Sequence, residues 1–525
     1  MNSDRLHVCR CFVFGLSVLI FLAVLGAPHL TRIHAAESAV FQRASLNTEA
    51  LRARIDQRIE ATRFGSARWG VLVVSLESGQ VVYSHNENRL FIPASNTKLF
   101  TAALALDRLG PDFRTRTSLY SRERPDRQGR LRGDLLLVGR GDPSFALYHE
   151  PGTTGSTVKA FAQALFQSGV RSVRGQLLVD DHYFSESTYG AGWMVEDLDA
   201  YYCPEISALS LNDNVATWRV TPGASPGKPA MIQMVEEDTQ LVWSNRVRTV
   251  AAKAKTRVSA TRLLGQNRGV MSGTIALDSP RVTQQITVHD PALWFGRSLA
   301  MSLRTQGVSI SGRVRESEFQ ELGPTGEPGP TWQQLTTLES PPLRSLLATM
   351  MKPSNNLHAQ LLFLLVGAQG EKSPEALTTP ERSVAAMDLW MRGFLGAGVL
   401  PHLEEGAGLS RRNGASPRHI VELLRYMDKH SSGAEFKESL PIAGVDGTLK
   451  HRMRGTRAEG NLRAKTGSLR SVSSLSGYVI SSGGERLAFS ILLNDYVPES
   501  GQPSARDEVD AIAALLADLA RDAKP

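Results

Sequence analysis

A hydroxyl, a nearby amine and a strand edge that can hold a peptide suffice to cut an amide bond by acyl transfer, and the sequence offers all three. Ser95-Asn96-Thr97-Lys98 sets an amine three residues after a hydroxyl. If Ser95 opens a helix, Lys98 lies one turn later on the same face, within reach of that hydroxyl. The free N–H groups and partial positive charge of a helix N-terminus favour the negative charge that develops when a carbonyl is attacked. A lysine buried beside another cation gives up its proton more readily and can serve as the base. The pattern alone is weak. It recurs at Ser156–Lys159 and Ser225–Lys228, and Ser156 can also open a helix.

Lys465-Thr466-Gly467 occurs once. On an edge strand, Lys465 and Thr466 can bind a substrate carboxylate, and Gly467 lets a backbone approach closely. The substrate then docks as an added strand. Ser354-Asn355-Asn356 falls between two helix candidates, Leu343–Met351 and Leu357–Val366, and can turn a hydroxyl and an amide towards the same cleft. Ser-x-Asn recurs at Ser45–Asn47 and Ser210–Asn212, so this triplet is also weak by itself.

Elements able to position these groups lie at the two ends of the chain. A helix is expected around Thr48–Thr62, followed by strands Gly70–Leu76 and Val81–Ser84 joined through Glu77-Ser78-Gly79-Gln80. Apolar spacing predicts a helix over Ala94–Leu109 that stops at Gly110. Near the C-terminus, strands Ser474–Ile480 and Arg486–Leu493 flank a Ser481–Gly484 turn. Glu508–Ala520 puts Val509, Ile512, Leu516 and Leu519 on one helical face, suited to packing on a sheet. Between about Thr115 and Arg315, short strand-like runs such as Asp134–Val138, Gly175–Val179 and Gln285–Val288 recur, and Gly323–Pro330 reads as a boundary.

Composition sets the class. The chain has 525 residues, 42% apolar and 21% charged, which fits several hydrophobic cores and excludes long disorder. Its net charge of +7 is read as a mildly basic solvated surface, since Arg and Lys are interspersed with acids; no nucleic-acid partner is expected. Arg5, His7 and Arg10 precede an apolar run from Cys11 to Ala27, and Ala35-Ala36 follows, the layout of an export signal over residues 1–36. At 17 residues the run barely spans a bilayer, so an uncleaved anchor, and membrane contact through it, is the alternative. With that segment removed only Cys203 remains, so no intrachain disulfide forms. No CxxC or HExxH occurs, and neither metal nor cofactor is called for.

The order Ser-x-x-Lys, Ser-x-Asn, Lys-Thr-Gly is that of penicillin-binding proteins and class A β-lactamases. Beyond these triplets, the stretches Pro93–Leu99, Gly139–Ser144, Ala208–Asn214, Gly406–Arg411, Gly444–Leu449 and Ala464–Leu469 resemble the D-alanyl-D-alanine carboxypeptidase/endopeptidase family, the class C low-molecular-mass penicillin-binding proteins. The resemblance runs from about residue 45 to the C-terminus, and the long insert between the first two motifs matches that family. It implies an α+β fold: a discontinuous penicillin-binding/β-lactamase-like transpeptidase domain, with an antiparallel sheet flanked by helices. Residues 37–114 and 333–525 form that domain, and 115–332 are a large, mostly β insert of two subdomains.

The resemblance also implies roles. Ser95 is acylated and Lys98 activates it. Ser354, with Lys465, relays a proton to the leaving D-alanine. Asn356 holds the substrate backbone, Thr466 with Lys465 binds its terminal carboxylate, and the backbone N–H groups of Ser95 and Ser468 stabilise the oxyanion. Asp197, in Trp193–Asp197, resembles a residue that recognises the free amine of the stem peptide's diamino acid, with Arg411 on the carboxylate of the same side chain. Asn355 stands where Asp is common, and Ser468 where Thr is frequent. The implied partners are peptidoglycan stem peptides, with β-lactams as covalent inhibitors.

Other patterns are less able to carry chemistry. Gly223-Ala224-Ser225-Pro226-Gly227 copies a hydrolase elbow, but Pro226 lacks the N–H that such an oxyanion hole needs. Arg140-Gly141-Asp142 has no supporting context, the histidines form no triad order, and Cys203 is read as a packed thiol. The rival functions are a β-lactamase and a non-catalytic receptor of the same fold.

Overall fold

Strand Arg68–Ser75 buries seven successive residues from Trp69 onward. A strand turns alternate side chains to opposite faces, so such a run requires cover on both sides of its sheet. Leu72 and Val74 join one hydrophobic cluster with Phe100, Leu104 and Leu424. Val71 and Val73 join another with Leu51, Ile55, Val509 and Ile512. The computed structural model describes residues 46–520 except 62–63, 65, 148–155, 186–187, 237–239, 318–327, 371–377, 397 and 498–503. The expected export signal and most of the Gly323–Pro330 break lie outside the described residues.

The sheet is antiparallel and five-stranded, in the order Arg463–Leu469, Val472–Ile480, Arg486–Asn494, Arg68–Ser75, Val81–His85. Strand Arg68–Ser75 is therefore interior, next to edge strand Val81–His85, although its other neighbour, the middle strand, comes from the far end of the chain: Arg68 pairs with Asn494 and Ser75 with Leu487. Helices Thr48–Ala61 and Ala505–Ala517 cover one face. Helices Thr97–Leu109, Leu343–Met351, Asn356–Gln369 and Pro417–Lys429 supply the cluster on the other. The fold is α+β, an antiparallel sheet flanked by helices.

The intervening segment has its own cluster, centred on Leu137, Phe161, Trp294 and Leu299. A second five-stranded sheet runs Val314–Glu316, Leu177–Asp180, Leu135–Val138, Arg116–Ser121, Gln333–Glu339. Its first strand in sequence, Arg116–Ser121, pairs antiparallel with its last, Gln333–Glu339, so the chain leaves and re-enters at adjacent points. Helices Val158–Gln167 and Pro291–Thr305 pack with these strands. A buried carboxylate, Glu205, is pinned by the Tyr189 hydroxyl at 3.0 Å, the Asp290 N–H at 3.1 Å, His289 Nδ1 at 3.0 Å and the Arg262 guanidinium at 3.5 Å. Asn212, Asp213 and Asn214 all have φ near +50°, a left-handed conformation that Asn and Asp visit singly but seldom three in succession.

Candidate active site

Ser95 lies in a single 3-10 turn, Ala94–Asn96, that feeds helix Thr97–Leu109. The α-helix expected from Ala94 thus begins three residues later, because Ala94 takes φ +48°. Asn96 points away from its neighbour: its amide donates to the Lys465 carbonyl at 3.1 Å and to Ser474 Oγ at 2.9 Å, tying the turn to edge strand Arg463–Leu469. Gly467 permits this contact. A Cβ there would stand 2.2 Å from Ser474 Oγ and 3.0 Å from the Ser95 nitrogen.

Lys98 is fully buried, and its amine meets three oxygens: Ser95 Oγ at 3.0 Å, Asn356 Oδ1 at 2.6 Å and the Ala407 carbonyl at 2.5 Å. Burial pulls this amine down to about 7, while the negative charge of Glu405 pulls the other way. A neutral amine has two hydrogens and one lone pair. Asn356 and Ala407 take the hydrogens, leaving the lone pair facing the Ser95 hydroxyl. The same geometry therefore serves an amine that receives the serine proton and an ammonium that returns it.

Lys465 is also fully buried and donates to Ser354 Oγ and to the Thr466 carbonyl, both at 2.8 Å. Burial, then the charges of Lys98 and Arg452, hold it well below the ordinary lysine range. Ser354 sits at φ +66°, between helix Leu343–Met351 and helix Asn356–Gln369. The Asn356 amide, besides accepting from Lys98, donates to the Tyr202 carbonyl at 2.6 Å. Thr466 Oγ1 donates to Thr448 Oγ1 at 2.8 Å.

A cavity of about 1060 Å³ joins these groups, with Ser95, Ser354, Asn356, Thr466, Gly467 and Ser468 on its wall. Asp197 and Arg411 line it as well. Asp197 accepts from the Tyr202 hydroxyl at 2.6 Å, and Arg411 donates to the Arg470 carbonyl at 2.8 Å. The competing patterns are not assembled in this way. Lys159 and Lys228 are exposed, and among the described residues no hydrogen bond joins either amine to Ser156 or Ser225. Arg140 and Asp142 are buried, so that tripeptide presents no adhesive loop, and Cys203 is a buried free thiol.

Glu405 has no counterpart in the sequence reading. It is fully buried and accepts from the N–H groups of Ala407 at 2.8 Å and Gly408 at 2.6 Å, from the Asn413 amide at 2.7 Å and from the Trp193 indole at 3.2 Å. These bonds fold the turn that delivers the Ala407 carbonyl to Lys98. Gly408, at φ +84°, lets that turn press on Ala94, whose carbonyl oxygen would lie 2.0 Å from an added Cβ. Glu205, His289 and Asp290 bring potential metal-ligand atoms within 4.8 Å of one another, but Arg262 already supplies a cation to Glu205.

A serine beside a buried lysine, with a second lysine and a Ser-x-Asn turn across one cleft, is the layout of the penicillin-binding fold. The D-Ala-D-Ala carboxypeptidase 3 (S13) family matches residues 51–518. The chain belongs to that family. It is similar to a D-alanyl-D-alanine carboxypeptidase of Actinomadura sp., with 35% identity over 492 residues, 90% of this chain and 86% of the relative. The crystal structure of penicillin binding protein 4 of Haemophilus influenzae superposes with a TM-score of 0.74 at 25% identity, covering 87% of this chain and 97% of that one. The same protein complexed with a β-lactam gives 0.67 at 22% identity, covering 87% and 97%. This S13 member is thus a D-Ala-D-Ala carboxypeptidase and a penicillin-binding protein, and the cleft is where its peptide chemistry must be sought. Among its described residues, no helix is long and apolar enough to cross a membrane.

Proposed function

We propose that the enzyme cuts the D-Ala-D-Ala end or the cross-link of peptidoglycan stem peptides through a Ser95 acyl-enzyme. The observation that carries this reading is the fully buried Lys98 amine, pulled down to about 7 and 3.0 Å from Ser95 Oγ. Lys98 takes the hydroxyl proton as Ser95 attacks the carbonyl carbon, and the N–H groups of Ser95 and Ser468 hold the resulting oxyanion. The C–N bond then breaks. Ser354, fed by Lys465, protonates the departing amine, and water later releases the acyl group from Ser95. Thr466 with Lys465 binds the terminal carboxylate, and Asn356 positions the peptide backbone. Asp197 and Arg411 read the charged end of the diamino-acid side chain.

A β-lactam complex is described for the similar Haemophilus protein. The same cleft chemistry makes β-lactams covalent inhibitors of this enzyme. Residues 1–36 direct export to the periplasm or the exterior of the envelope, and residues 115–332 are an insert into the catalytic domain. Incubation with a labelled penicillin followed by intact-protein mass spectrometry tests the reading. A stable adduct on Ser95, lost in Ser95→Ala, is expected. Rapid release would point to a β-lactamase, and absence of any adduct to a non-catalytic receptor. An adduct that persists in Ser95→Ala would mean that the nucleophile is another serine.

A further inference from the structure

The left-handed turn Asn212–Asn214 is held from inside by its two asparagines. Asn212 Oδ1 accepts from the Leu147 N–H at 2.8 Å, and the Asn214 amide donates to the Glu205 carbonyl at 2.8 Å. Asp213, at the apex, turns the other way. Its Oδ1 lies 2.9 Å from His358 Nε2, a side chain only 9% exposed, while half of the Asp213 side chain still faces the cavity. His358 belongs to the first turn of helix Asn356–Gln369, and its backbone N–H donates to the capping side chain of Asn355 at 3.0 Å.

The Asp213 contact thus falls within one helical turn of Ser354, Asn355 and Asn356, yet it comes from a segment about 145 residues distant. Burial alone would raise the Asp213 carboxyl, but the His358 charge and hydrogen bonds from His358 and Asn355 outweigh it and hold the carboxyl below its ordinary value. Asn355, at the middle of the Ser-x-Asn triplet, carries no charge. Asp213 supplies one beside it. A strained turn persists only where neighbouring contacts fix it, and one of these contacts, Asp213 to His358, reaches the helix that starts beside the cleft.

We infer that Asp213 and His358 form a clamp through which the intervening segment positions the Ser354–Asn356 turn for catalysis. Both are positioning residues: Asn356 meets Lys98, Ser354 meets Lys465, and the clamp sets the turn that aims both. Burial raises the carboxyl of Asp142, from the same intervening segment, and the charge of His358 partly offsets that rise.

This inference rests on the proposed acylation of Ser95, so the first measurement is labelling of the wild-type enzyme by a fluorescent penicillin. If the wild type is not labelled, that reading falls and the clamp falls with it. With labelling established, Asp213→Ala and His358→Ala should each slow acylation and lower kcat on a D-Ala-D-Ala peptide by about tenfold, with KM within about twofold. The double variant should lose no more than either single one, as two halves of one contact do. His358→Gln, which keeps a donor, should recover most of the rate. Wild-type rates in Asp213→Ala, losses that multiply in the double variant, or a rise in KM with kcat unchanged would each overturn the clamp. Because half of the Asp213 side chain is exposed, that variant remains informative even if His358→Ala fails to fold.

Discussion

Two buried carboxylates, Glu205 in the intervening segment and Glu405 beside Lys98 and Ser95, are almost equally removed from solvent, at 3% and 0% exposure. Their surroundings differ in kind. Glu205 meets a guanidinium, Arg262, whose side chain is itself fully buried. Among the described residues, Glu405 meets only neutral donors, namely backbone N–H groups, an amide and an indole. A charge neutralised in contact has little field left over, whereas a charge solvated by dipoles still acts on its neighbours in a medium of low polarisability. Glu205 therefore serves cohesion. Glu405 serves cohesion too, but its uncancelled charge reaches Lys98 and keeps that amine from falling further. A buried acid is informative about chemistry through what does not neutralise it.

Substitutions can break this contrast. Glu205→Gln leaves Arg262 buried without its anion and should destabilise the fold by about 3–5 kcal/mol. Denaturant unfolding would record that loss, while acylation per folded molecule should keep its wild-type pH dependence. A shifted pH dependence would place Glu205 in the electrostatics of the cleft and erase the distinction.

Glu405→Gln should cost less stability, about 1–3 kcal/mol for imperfectly paired donors, but it should change the chemistry. In the proposed reaction acylation requires neutral Lys98, so in the wild type its rate should rise with pH through about 7 and level off above. Glu405 raises the Lys98 value, so removing its charge must move this midpoint downwards. Penicillin acylation rates across pH would reveal the shift; a midpoint that stays put or moves up would mean that the Glu405 charge does not reach Lys98.

The smallest effect concerns the cavity rim. Asp197→Asn keeps an acceptor for the Tyr202 hydroxyl yet removes the charge. Turnover of peptides with a free amino side chain should fall severalfold, by about 1 kcal/mol as for an exposed ion pair. Simple diacyl-D-Ala-D-Ala substrates should be spared. Equal losses on both would remove the side-chain role of Asp197.

Local pattern made much of the catalytic sheet legible. The hairpins at both ends and the helix Leu343–Met351 fall where apolar runs and turn residues place them, because each depends on residues close in sequence. The candidate site was legible as three short motifs, and Ser95 was singled out by the company of the other motifs and the resemblance of the flanking stretches, not by local spacing. Ser156–Lys159 equals Ser95–Lys98 in spacing, and only the cover supplied by Ala407 and Asn356 buries Lys98 while Lys159 stays in solvent. Glu405 escapes sequence reading for a similar reason. Glu404-Glu405-Gly406 looks like a solvated acidic turn until Trp193, more than two hundred residues earlier in the chain, closes over it. The pairing of Asp213 with His358 is equally non-local.

The interior strand Arg68–Ser75 finds its partner in the middle strand Arg486–Asn494. During vectorial synthesis strand Arg68–Ser75 is made early, but the sheet around it stays incomplete until more than four hundred further residues have followed. Until then one margin of the N-terminal hairpin remains unsatisfied and prone to adhere to other chains. Lys465, on strand Arg463–Leu469, also comes late, so a nascent or clipped polypeptide that stops before it lacks one of the two lysines beside the cleft.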